Sequence, residues 1–142
     1  MFTTNLIEKT ALKDGLLLNL DPGIISNVSI DSRNCGTGSL FFAFRGENVN
    51  GHDFIPELLK KGVVCVGEEA LFEGKNYVRV ENTLRFLSEL AAARRKMFKG
   101  KVIALTGSSG KTTTREMIVS MLKVISKRVH ATSGNLNNHI GL

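Results

Sequence analysis

Hydrophobic positions in this chain change period several times, and each change marks an element. A short helix is predicted around Thr3 to Leu12, and IISNVSIDSR (24–33) carries partly alternating β-branched residues suited to a strand. The turn NCGTG follows, and then LFFAF (40–44), a continuous apolar run of the kind a sheet buries on both faces. Glycines and asparagines punctuate RGENVNGHDF (45–54) before Phe54, Ile55, Leu58 and Leu59 recur at helical spacing, with Asp53 placed to cap that helix. Gly62 stops it, VVCVG reads as a second buried strand, and residues 39–67 therefore form a strand-helix-strand unit. YVRVEN (77–82) reads as one more strand.

The longest early helix is predicted from Asn82 to Phe98, with Leu84, Leu87, Leu90, Ala91 and Met97 near one face and Arg85, Arg94 and Arg95 toward solvent. Asn82 or Thr83 can cap its start, and Gly100 closes it. The pattern then begins again: a strand KVIALT (101–106), a Gly/Ser loop, a helix from Lys111 to about Ser126 packing through Met117, Ile118, Met121, Leu122 and Ile125, and a strand RVHAT (128–132). This restart predicts a domain boundary near Lys99, dividing the chain into 1–99 and 100–142. One βαβ unit cannot cover both faces of a parallel sheet, so the second part reads as the opening of a larger domain, truncated at Leu142. The expected fold class is α/β: a small mixed-sheet domain followed by the first βαβ unit of a P-loop ATPase-like parallel-sheet domain.

Composition narrows the class. With 142 residues, 42% hydrophobic and 23% charged, the chain is long enough to bury a core and too apolar for disorder. Its apolar runs reach four or five residues, far short of the roughly 20 that span a bilayer, and its first residues lack a basic stretch followed by a long apolar one, which predicts a cytosolic protein without a secretory leader. Cys35 and Cys65 lie without metal-ligand spacing and read as reduced thiols. The net charge of +6 is uneven: residues 1–81 sum to −3 and residues 82–142 to +9. Arg94, Arg95, Lys96, Lys99 and Lys101 form a solvated face or a general phosphate-attracting field, with too few interleaved aromatics for nucleic acid.

The strongest chemical signal is LTGSSGKTTT (105–114) between a predicted strand and a predicted helix. Gly107 and Gly110 let the backbone turn its N–H groups inward across Ser108 and Ser109, and the helix start adds positive potential. Lys111 can reach β and γ phosphates, Thr112 can ligate Mg²⁺, and Thr113 continues the loop. The full phosphate-loop pattern places a Gly where this chain has Leu105. The three histidines, His52, His130 and His139, show no ligand spacing and read as structural.

Taken together, IDSR, LFFAFRG, NGHDFI, TGSSGKTTTREM and GNLNNHIG, in that order over essentially the whole chain, resemble the Mur ligase family of ATP-dependent amide-forming ligases in peptidoglycan synthesis. The family's loop likewise lacks the first glycine. GNLNN followed by IG is similar to the branch that adds D-alanyl-D-alanine to UDP-N-acetylmuramoyl-tripeptide. The alternatives are a sister enzyme such as the diamino-acid-adding ligase or, in so short a chain, a non-catalytic UDP-sugar-binding module. The resemblance implies ATP and Mg²⁺ as cofactors, catalysis by Lys111 and Thr112, and nucleotide contacts from Gly107 through Thr113. It implies substrate contacts from Ile30, Asp31, Ser32 and Arg33, from Glu47, Asn48 and Val49, and from Asn135, Asn137 and Asn138. The chain is expected to be a monomer with no nucleic-acid partner and no membrane span. Arg33 has two readings, a diphosphate partner or a salt-bridge partner of Asp31 or another acid.

Overall fold

Apolar runs with the right spacing pair into a sheet. The computed structural model describes residues 2–12, 19–70 and 75–132, in two units, Met1–Lys99 and Gly100–Leu142. In the first unit, β1 (Phe2–Thr3) pairs antiparallel with β2 (Ile24–Ile25). A separate sheet holds β3 (Asn27–Ser29), β4 (Ser39–Phe42), β5 (Val64–Gly67) and β6 (Tyr77–Arg79), in that order and all parallel. Three helices accompany them: α1 (Thr4–Ala11), α2 (Ile55–Lys60) and α3 (Thr83–Met97).

Every residue of β4 and β5 is buried because both sheet faces are covered. Side chains alternate across the sheet, so Leu40, Phe42, Val64, Val66 and Val78 pack with Ile7 and Ala11 of α1 and with Phe86 and Leu90 of α3. On the opposite face Phe41, Ala43, Cys65 and Tyr77 pack with Ile55 and Leu58 of α2. Burial pushes the Cys65 thiol up to about 12, so it stays protonated and serves as a small apolar core residue.

Three local expectations are corrected. The predicted strand 24–33 is two strands, because Ser26 gives its N–H to the Gly38 carbonyl at 2.9 Å and passes the chain from one sheet to the other. Asp53 is not the cap of α2: a 3₁₀ turn, Gly51–Phe54, precedes that helix, and the Asn50 side chain caps the turn by accepting from His52 N at 3.1 Å. The buried stripe of α3 is Thr83, Phe86 and Leu90, while Met97 is exposed and Leu84 and Leu87 are half-buried. The Phe86 ring against Phe42, centroids 6.5 Å apart, sets that rotation. Asn82 caps the helix, accepting from Arg85 N at 2.8 Å.

The second unit contains α4 (Lys111–Ile125), and neither 101–107 nor 126–132 forms a strand. A strand is completed by a neighbour's hydrogen bonds, and neither segment has a ladder partner among the described residues. The predicted packing face of α4 is largely uncovered among the described residues: Met117, Met121 and Ile125 are 59%, 70% and 80% exposed, and Ile118 and Leu122 are half-buried. No helix among the described residues is long and apolar enough to cross a membrane.

One tight approach yields a stability prediction. At Gly51 a Cβ would stand 2.8 Å from both the backbone N and the carbonyl O of Phe44, atoms that cannot swing aside. Gly51→Ala is therefore expected to lower unfolding stability by about 1–3 kcal/mol, measured by denaturant titration. Wild-type stability would show that the Phe44 backbone gives way.

Candidate functional site

Parallel strands point their carboxyl ends to one edge, and the loops leaving that edge are where open α/β sheets place ligands. Here β3 runs into Ile30–Arg33, β4 into the loop 43–50, β5 into Glu68 and Glu69, and β6 into Val80–Asn82. Two of these loops leave adjacent strands and carry the residues marked in the sequence.

The first loop is organised by Asp31. Its N–H binds the Ser29 hydroxyl oxygen at 3.0 Å, and its Oδ1 accepts from Arg33 N at 3.0 Å, turning the chain into the 3₁₀ segment Ser32–Asn34. Arg33 folds back on it with a two-pronged pair, Nε to Oδ1 at 2.9 Å and Nη2 to Oδ2 at 2.7 Å. The Arg33 hydrogen bond holds the Asp31 carboxyl below the usual carboxylate range. Of the two readings left open for Arg33, the pair with Asp31 is the one formed, although the Arg33 side chain remains 86% exposed. Ser32 is half-buried, and its hydroxyl has no hydrogen-bond partner among the described residues, which leaves it free for a ligand. Ile30 is exposed beside it.

The second loop is a tight excursion. Arg45 bridges Asn50 across its stem, Gly46 N–H donates to the Val49 carbonyl at 2.9 Å, and Gly51 N–H donates to the Phe44 carbonyl at 2.8 Å. Glu47, Asn48 and Val49 are all exposed on it. Arg45 pairs with Glu69 at 3.1 Å, linking the loop to the end of β5. Sequence reasoning passed over Asn50, Glu68 and Glu69; Asn50 two residues before His52 is an Asx-turn signature that was available.

In the second unit the phosphate-loop residues 105–110 lie exposed ahead of α4. Gly107 and Gly110 have φ of +151° and +76°, conformations that favour glycine. No side chain caps α4 and its first turn holds no acid, so the helix start keeps its positive potential. Lys111 Nζ donates to the Gly107 carbonyl and folds over the loop, and Thr112 and Thr113 are exposed. An uncapped helix start, a lysine across the loop and free hydroxyls fit an anion such as a nucleotide phosphate. Asn135, Asn137, Asn138 and His139 lie outside the described residues. Among the described residues no cluster of His, Cys, Asp and Glu could hold a metal.

Comparison with known proteins bears on both units. Residues 24–95 match the profile described as Mur ligase family, catalytic domain, and residues 105–142 match that of the Mur ligase middle domain. The chain is 40% identical over 141 residues to the UDP-N-acetylmuramoyl-tripeptide--D-alanyl-D-alanine ligase of Synechocystis, covering 94% of this chain and 31% of that protein. It is 38% identical to the Bacillus subtilis enzyme of the same name, covering 84% of this chain and 27% of that one. A crystal structure of MurF from Acinetobacter baumannii superposes with a TM-score of 0.76 at 32% identity, over 99% of this chain and 31% of that one. MurF ligase from Thermotoga maritima in complex with ADP gives 0.72 at 35% identity, over 82% and 27%. The chain thus spans between 27% and 31% of the length of these proteins.

Proposed function

This chain belongs to the Mur ligase family, and from that premise we propose that it is part of an ATP-dependent ligase that adds D-alanyl-D-alanine to UDP-N-acetylmuramoyl-tripeptide. The observation that carries the reading is the 40% identity over 94% of the chain to a ligase of that name, which spans the carboxyl-edge loops and the phosphate loop together. The shared name of the relatives favours this branch over the diamino-acid-adding sister. The protein is read as a cytosolic monomer.

In this reading residues 1–99 hold the UDP end of the muramoyl substrate and residues 100–142 open the central ATP-binding domain, its first βαβ unit completed by strands contributed further along a longer protein. Ser32 offers its free hydroxyl to the nucleotide, with Ile30, Glu47, Asn48 and Val49 around it. Asp31 shapes the turn, and Arg33, held by Asp31, keeps an exposed face for diphosphate. Asn135, Asn137 and Asn138 supply uncharged hydrogen bonds near the muramoyl peptide.

Gly107 through Thr113 cradle the ATP phosphates, a role supported by the ADP bound to the Thermotoga maritima relative. Thr112 would hold Mg²⁺, which supplies neutralising charge. The chemistry is transfer of the γ-phosphoryl group to the tripeptide carboxylate, giving an acyl phosphate and ADP. The D-alanyl-D-alanine amine then attacks, forming the amide and releasing phosphate. Such transfer is mainly positioning and charge neutralisation, which gives Lys111 its catalytic part.

Separate titrations with UDP-N-acetylmuramoyl-tripeptide and Mg·ATP, together with a ligation assay on the whole protein, test the reading. Absence of both binding events would remove it, and sugar-nucleotide binding alone would make the chain a non-catalytic module. Ser32→Ala is expected to raise the KM for the UDP substrate about tenfold, through loss of one or two hydrogen bonds, with kcat and ATP affinity little changed. Unaltered KM would move Ser32 to a purely structural part.

A further inference from the structure

His52 is buried to 1% exposure, and a buried imidazole needs a partner for each ring nitrogen. Its Nε2 lies 3.0 Å from the backbone N of Glu68, a group that can only donate. Nε2 is therefore the acceptor and the proton sits on Nδ1, which donates to Asn50 Oδ1 at 2.9 Å. The same oxygen accepts from His52 N at 3.1 Å. From Glu68 the connection continues, its Oε1 accepting from Thr83 N at 2.9 Å in the first turn of α3. The ring is closely seated: a Cβ on Gly67 would come within 2.9 Å of His52 Cδ2 and 3.0 Å of Nε2.

We propose that His52 is a positioning residue, which with Asn50 and Glu68 braces the stem of the Arg45–Asn50 loop against the end of β5 and the start of α3 so that Glu47, Asn48 and Val49 are held in their binding shape. This rests on the function proposed above. The loop is exposed along Glu47–Val49 and is closed by the Arg45–Asn50 bridge and the Gly46–Val49 hydrogen bond. Among the described residues its side-chain ties to the end of β5 are the imidazole and the Arg45–Glu69 pair. The ion pair is the weaker of the two, because the Arg45 side chain is 63% exposed. Without the imidazole Asn50 keeps the bond from the backbone N–H of residue 52 and its bridge to Arg45 but loses its tie to the end of β5, so the loop must be ordered when substrate binds, which weakens affinity without touching the chemical step.

The test is calorimetric titration of the 142-residue chain with UDP-N-acetylmuramoyl-tripeptide, for wild type, Asn50→Ala, His52→Gln and the double variant. Glutamine places an amide oxygen near the Nε2 position, keeping the bond to Glu68 N while giving up the donor to Asn50. Each single variant is expected to raise Kd roughly tenfold with a native circular dichroism spectrum. The double variant should be no weaker than the weaker single, because both break one linkage. In the whole ligase the same variants should raise KM for the UDP substrate at unchanged kcat and unchanged ATP affinity. Wild-type Kd in a folded variant, additive losses, or a fall in kcat at constant KM would overturn the proposal. Should His52→Gln fail to fold, Asn50→Ala, on a half-buried loop position, decides the matter by itself. A wild-type chain that binds no UDP substrate would overturn the UDP-site part of the proposed function and this inference together, whereas binding that neither variant alters overturns this inference alone.

Discussion

Replacing Lys111 by alanine in the whole ligase is expected to slow amide formation by roughly 10² to 10³, while affinity for the UDP substrate stays within about twofold. On the proposed function, the rate loss follows from removing a charge-assisted contact to the transferring phosphoryl group, commonly about 2.7–4 kcal/mol of transition-state stabilisation. The alanine also frees the Gly107 carbonyl from the Lys111 ammonium, so the loop loses the contact that folds the side chain over it. Sugar-nucleotide affinity is spared because Ser32 and the Glu47–Val49 loop belong to the Met1–Lys99 unit and Lys111 to the Gly100–Leu142 unit. Steady-state kinetics with each substrate varied in turn checks both halves. Near wild-type turnover would remove the phosphate loop from the mechanism.

Hydrogen exchange on the 142-residue chain is expected to show the amides of β4 and β5 protected roughly a thousandfold more than those of α4, and the same preparation should form no peptide bond from ATP and both substrates. The two central strands are buried on both faces, by α1 and α3 on one side and α2 on the other. By contrast α4 has no buried residue, and Met121, Val124 and Ile125 are 70%, 85% and 80% exposed. A helix of 15 residues is marginal in water unless packing of its apolar face stabilises it. The N–H groups at its start, proposed above to bind phosphate, must then be ordered during binding, so ATP affinity should be weak in the 142-residue chain. Equal protection through residues 101–132, or measurable ligation, would show that this face is already covered.

The sequence by itself determined whatever depends on near neighbours. LFFAF and VVCVG are apolar without interruption and became the buried strands β4 and β5. Helical spacing placed α2, α3 and α4 to within a residue or two, and the Gly/Ser-Lys-Thr run lies where expected, at the start of α4. Period and turn chemistry are local properties, and so is the Asp31–Arg33 pair, two residues apart, which the sequence offered as one of two readings. Only the tertiary structure decided matters of partnership. It divided 24–33 between two sheets, because Ser26 bonds to Gly38. Contact with Phe42 turned α3 to bury Phe86 rather than Met97. It left 101–107 without strand, since a ladder needs a second chain segment that the described residues do not supply. It also joined His52 to Glu68, 16 residues away, and Glu68 to Thr83, 15 residues further, making a connected brace from a histidine that by sequence looked isolated. Hydrogen-bond partners and packed faces at such separations are chosen by the three-dimensional arrangement of the sheet, and no periodicity along the chain encodes them.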